Sequence, residues 1–98
     1  DEIYLINKDI EASSCRAEKV EEKQLRVAAG LVLKLLRETK GLTQQQVADK
    51  AGLERTSITN IEGGTQGTPL HVLFAMSMAL GMRAGKVVDH IDSLLVNI

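Results

Sequence analysis

Apolar and polar positions repeat at helical spacing from residue 22 onward. At roughly 100° per residue, Leu25, Ala29, Val32, Leu33 and Leu36 share one face of a first helix over 22–39. Gly41 ends it, at a position where a left-handed residue costs least. Thr43 has the chemistry of an N-cap for a second helix over 44–51, with Val47, Ala48 and Ala51 turned inward. Gly52 breaks that helix. A third runs from about 54 to 62, with Ile58 and Ile61 on its buried side, and stops at Gly63-Gly64. Thr68-Pro69 reads as an N-cap followed by the first helical residue of a fourth helix, which reaches residue 80 and is built on Leu70, Leu73, Phe74, Ser77 and Leu80. Gly81 caps it, and a fifth helix over 84–94 uses Val87, Val88, Ile91 and Leu95. Met76, Met78 and Met82 read as adaptable core filler. The expected fold class is all-α, with five helices in a domain over 22–95 and a short tail at 96–98.

Residues 1–21 follow a different pattern. Six acidic and three basic side chains give this N-terminal extension a net charge of −3. Ile3-Tyr4-Leu5-Ile6 is β-prone, so the extension reads as an arm, a lone strand or a disordered segment. Ser13 or Ser14 could cap a following helix. The first residue is Asp1 rather than Met, which suggests a processed or trimmed chain, or a domain from something longer.

Composition narrows the possible functions. A chain of 98 residues holds one domain, and its single proline is compatible with a mostly helical fold. There is no Trp, with one Tyr and one Phe, too few aromatics for a stacking platform on single-stranded nucleic acid. The lone Cys15 forms neither an internal disulfide nor a multi-thiolate metal site and suggests a reducing cytosol. No apolar run approaches the ~20 residues that span a bilayer, and no signal peptide is evident. No membrane association is therefore expected. His71 and His90 lack a Cys, a second nearby His or a nucleophile, so no metal is expected. No nucleophile elbow and no glycine-rich loop after a strand is present, so neither an enzyme nor a cofactor is expected.

Leu42 to Glu62 is the informative stretch. Ala48 lies four residues before Gly52, its small side chain letting the next helix cross closely, while Gly52 permits the backbone angle of a tight turn. Ile58 anchors the following helix and Leu53 plugs the corner. Two short helices arranged in this way brace one against a nucleic-acid backbone and present the other's polar face to the major groove.

These residues resemble the Cro/phage-repressor class of XRE-type helix-turn-helix proteins. The family pattern stands at Leu42-Thr43-Gln44, Ala48 to Gly52, Ser57-Ile58 and Glu62-Gly63-Gly64, with Ala79-Leu80-Gly81 matching the end of the fourth helix. The resemblance covers about residues 25–91 and implies a lambda-repressor-like DNA-binding domain with an N-terminal extension. It implies a sequence-specific transcriptional regulator that binds a palindromic operator in double-stranded DNA as a homodimer, cytoplasmic and nucleoid-associated in a bacterium or phage. By position, Gln44 is expected to bond a phosphate and orient the recognition helix. Arg55, Thr56, Thr59 and Asn60 are expected to reach base edges, Arg55 pairing with guanine and Asn60 with adenine. Thr43 and Ser57 are expected at phosphates. Lys34 and Arg37 join the DNA-contacting set, and Arg37 with Glu62 also resembles the family's buried ion pair.

Charge fits in part. Residues 22–62 hold seven basic against five acidic side chains, a net +2, whereas residues 63–98 balance. The loop over 63–68 contains no Lys or Arg, leaving backbone amides, Thr65 and Gln66 to meet a phosphate. Glu54 places an acid beside the expected DNA surface, although it also suits the positive end of a helix dipole. Weak binding by one copy and a shallow salt dependence follow, and two copies would compensate. Val27, Leu31 and Leu35 form a second apolar stripe on the first helix. With the apolar tail at 94–98, it reads as a surface for a partner or for the N-terminal arm. The alternative function is a protein-interaction module or antitoxin-like partner that keeps the fold, with a protein partner held through the N-terminal arm.

Overall fold

The computed structural model describes residues 21–96. The Ile3 to Ile6 run, Ser13, Ser14, Cys15, Asn97 and Ile98 lie outside the described residues. Five helices follow in order: α1 Glu22–Thr39, α2 Gln44–Ala51, α3 Arg55–Glu62, α4 Leu70–Ala79 and α5 Ala84–Val96. Among the described residues the fold is all-α, as the periodicity implies.

The core gathers Ala28, Ala29, Val32 and Leu33 of α1, Val47 and Ala48 of α2, Ile58 and Ile61 of α3, Val72, Leu73 and Met76 of α4, Leu80 at its end, and Val87 and Ile91 of α5. Helix α1 packs on α3 and α5, and α4 packs on α2 and α5. The short α2 and α3 are thus held from behind by longer neighbours. Burial of this kind, rather than intrinsic propensity, stabilises eight-residue helices that are marginal alone.

Gly30, in the middle of α1, sets how closely α3 approaches. A Cβ there would lie 2.1 Å from the Ile61 carbonyl oxygen and 3.1 Å from that of Glu62. A glycine in a helix interior costs about 1 kcal/mol relative to alanine, and this contact is its reason. Gly52 closes α2 in the left-handed region at φ 70°, its N–H donating to the Ala48 carbonyl. The Leu53 N–H reaches the same carbonyl at 2.9 Å, and the Leu53 side chain packs on the core as expected.

Several expected core positions lie elsewhere. Leu25 is half-exposed, because the first turn of α1 overhangs the core edge beside Gly67 and Thr68. In α4 the buried face is Val72, Leu73, Met76 and Ser77, while Leu70, Phe74 and Met78 point outward. That helix is apolar on every side, so its sequence period favours no face. Met78 is therefore not core filler, being 77% exposed. Val88 is exposed as well. Pro69, not Thr68, caps α4; its ψ of 153° keeps it extended, and helical geometry begins at Leu70. The Thr68 hydroxyl oxygen is buried without a partner. Helix α5 runs two residues past its expected end, to Val96. The Val27, Leu31 and Leu35 stripe is exposed, with Leu94 of α5 along its edge.

Candidate nucleic-acid interface

The site is assembled on α2 and α3. Thr43 caps α2: its hydroxyl oxygen accepts from the Gln46 N–H at 3.1 Å, and the Gln46 side chain returns to the Thr43 N–H at 2.8 Å. The reciprocal pair is a capping box. It leaves the N–H groups of Gln44 and Gln45 without intrahelical acceptors at the positive end of the helix, where an anion is favoured.

Behind α3 lies a polar cluster that ties three helices together. Arg37 Nε donates to Glu62 Oε2 at 2.7 Å and Nη2 to Oε1 at 3.0 Å, while Nη1 reaches the Leu42 carbonyl at 2.8 Å. The side chains of this pair are 12% and 3% exposed. The hydrogen bond that Arg37 donates to Glu62, aided by the carboxylate's charge, holds the proton on Arg37 more tightly than usual, against the opposing effect of burial. Gln44 Nε2 donates to Glu62 Oε1 at 3.1 Å, and Gln44 Oε1 accepts from the Thr59 hydroxyl at 2.9 Å. Gln44 therefore bridges α2 to both ends of the last turns of α3.

This geometry changes the expected roles. Arg37 has three of its five N–H donors committed inside the fold, to Glu62 and the Leu42 carbonyl, so its geometry is that of the structural ion pair. The Thr59 hydroxyl shares its one proton between Gln44 Oε1 and the Arg55 carbonyl, and its exposed oxygen keeps acceptor capacity. One amide hydrogen of Gln44 remains for a phosphate, because its NH2 carries two donors. The Arg26 guanidinium is tied to the Gly64 carbonyl at 2.7 Å and to Glu22.

The outer face of α3 is different. Arg55 and Thr56 are exposed, and no hydrogen bond or ion pair engages their side chains among the described residues. Asn60 and Ser57 sit half-buried at the edges of that face. Lys34 is exposed on α1, one turn beyond Gly30. Arg55, Thr56, Ser57 and Asn60 thus share α3, and Gln44, with Thr43 beside it at the head of α2, is joined to that helix through Thr59 and Glu62.

The loop after α3 folds back on itself. The Gly63 N–H donates to Thr59, the Gly64 N–H to Ile61, and the N–H groups of Thr65 and Gln66 both to the Asn60 carbonyl. The Thr65 hydroxyl also donates to Asn60. These amides and that hydroxyl, the groups this loop has left to offer a phosphate, are already engaged within the fold. Gly30, which positions α3, is absent from the set that periodicity and motif single out. Its signal was available: an isolated glycine inside a strongly periodic helix usually has a packing reason.

Among the described residues no group of three or more His, Cys, Asp or Glu side chains could hold a metal ion, and no helix is long and apolar enough to cross a membrane.

The sequence profile of a family described as a helix-turn-helix domain matches residues 28–91. No curated protein sequence is significantly similar to the chain. Solved structures are. The clp gene regulator ClgR of C. glutamicum superposes with a TM-score of 0.67 at 25% identity, over 70% of this chain and 90% of that one. The restriction-modification controller protein C.AhdI of Aeromonas hydrophila gives a TM-score of 0.60 at 30% identity, over 62% and 92%. The controller protein C.Esp1396I, as a tetramer in complex with its natural 35 base-pair operator, gives 0.69 at 25% identity, over 74% and 95%.

Proposed function

The chain belongs to the helix-turn-helix domain family, and we propose that it is a DNA-binding transcriptional regulator, two copies of which read a two-fold symmetric operator. The observation that carries this reading is the contrast across α3: an inner side clamped by Arg37, Glu62 and Gln44, and an outer side offering Arg55 and Thr56 without side-chain partners among the described residues. A rigid helix with free donors on its outer face suits the major groove. There Arg55 reads guanine through O6 and N7, Asn60 pairs with adenine, and Thr56 lies against a neighbouring base edge. Thr59 serves chiefly to fix α3 through Gln44. The free amides of Gln44 and Gln45, the second Gln44 amide hydrogen, Thr43, Ser57 and Lys34 take phosphates.

Of the seven cations in residues 22–62, Arg26 and Arg37 are held in internal ion pairs. The remaining five neutralise few phosphates, so one copy binds weakly and with a shallow salt slope. A second copy supplies the missing affinity by making the second half-site an intramolecular encounter. The exposed apolar side chains at Val27, Leu31 and Leu35, and at Leu70, Phe74 and Met78, provide surface for such pairing. The operator complex of C.Esp1396I, a relative of the same fold, supports the reading by analogy.

Selection of bound sequences from a random duplex pool tests this directly. An inverted repeat with half-sites one helical turn apart is the expected product, together with a sedimentation mass of two chains. A pool that stays flat over all rounds rejects the function, and a single unpaired motif rejects the symmetry.

A further inference from the structure

Glu54 stands where a capping residue would, immediately before α3, with φ −85° and ψ 146°. Its carboxylate makes no capping hydrogen bond, in contrast to Thr43, which caps α2 through its hydroxyl. It is exposed, and no ion pair engages it among the described residues, not even with Arg55 next to it. A free carboxylate at the end of α3 that enters the groove faces repulsion from phosphates unless it finds a donor there.

The base edges in the major groove decide which donor that is. Guanine presents the acceptors N7 and O6, thymine the acceptor O4, and adenine the acceptor N7 beside its amino group. Cytosine alone presents an N4 amino donor and no acceptor. A carboxylate is therefore attracted by cytosine and opposed, wholly or in part, by the other three. Resting on the DNA-binding reading above, we propose that Glu54 is a specificity-determining residue: its carboxylate accepts an N4 hydrogen from a cytosine in each half-site. Consecutive Cα atoms are about 3.8 Å apart, close to the ~3.4 Å rise per base along a strand. We place the cytosine next to the guanine read by Arg55, since the two side chains leave adjacent backbone positions. Glu54 and Arg55 together read a C–G pattern that neither could specify alone.

The test is selection from a random duplex pool with the full chain as wild type, Glu54→Gln and Arg55→Ala, after thermal melts have shown that the variants fold. The wild type is expected to enrich a cytosine beside a guanine. Glu54→Gln should lose about tenfold or more of the discrimination for that cytosine and shift the column toward adenine, whose N6 and N7 suit an amide. Arg55→Ala should flatten the guanine column and leave the cytosine. A cytosine column untouched by Glu54→Gln, with affinity rising uniformly on all duplexes, would overturn the proposal and leave Glu54 as a source of repulsion only. A wild-type pool that enriches nothing rejects the DNA-binding reading itself, and with it this assignment.

Discussion

The two sides of α3 obey opposite rules. On the inner side, charged and polar groups are matched: Arg37 with Glu62 and the Leu42 carbonyl, Gln44 with Glu62 and Thr59. Even the backbone is fitted, with Gly30 admitting the Ile61 carbonyl. On the outer side Glu54, Arg55 and Thr56 are left without side-chain partners among the described residues. The inner side creates a fixed platform, and the outer side keeps donors and an acceptor available. A side chain can serve stability or recognition, and in this molecule few serve both. Gln44 is one of those few, with one amide hydrogen turned inward and one free.

Breaking the inner side should have the largest effect. Arg37→Ala leaves the Glu62 carboxylate buried with its main counter-charge gone, at a cost of about 3–5 kcal/mol. A thermal melt should fall by on the order of 10 °C or more; an unchanged melt would mean that the pair contributes no net stability. Gly30→Ala comes next. Its methyl collides with backbone rather than with a side chain that can swing away, so α1 and α3 must separate, at roughly 2–3 kcal/mol. Denaturant unfolding should show a lower midpoint, and a gain in stability from the better helix propensity of alanine would disprove the close approach.

On the outer side the order of effects is reversed between stability and binding. Arg55→Ala should leave the melt unchanged while weakening binding to the selected operator about tenfold or more and relaxing preference at one base pair, as titration on operator and scrambled duplexes would show. Equal losses on both duplexes would assign Arg55 to a phosphate instead. Lys34→Ala should have the smallest effect. It should weaken binding uniformly across sequences and reduce the salt slope by about 1. A sequence-dependent loss would place Lys34 at a base edge.

Helix existence and order were legible because the signals are local. Apolar spacing in α1, the Thr43 cap, the Gly52 turn and the glycines that follow the first four helices each act over a few residues. The buried pair of Arg37 and Glu62 was legible only through family resemblance, since 25 positions separate its members. The face of α4 was not legible, because a helix apolar all round carries no directional information until neighbours choose a side. The internal use of Arg26, Thr59 and the amides of the 63–66 loop was equally hidden. Each of those groups looks free in a sequence, and only three-dimensional proximity supplies its partner.

For this protein, then, the amino-acid order by itself determined the five helices, their turns and the identity of the polar residues on α3. The tertiary structure decided which of those polar groups are held inside and which remain available. That division depends on distances between residues far apart in the chain, and a hydrogen-bond donor can be committed only once.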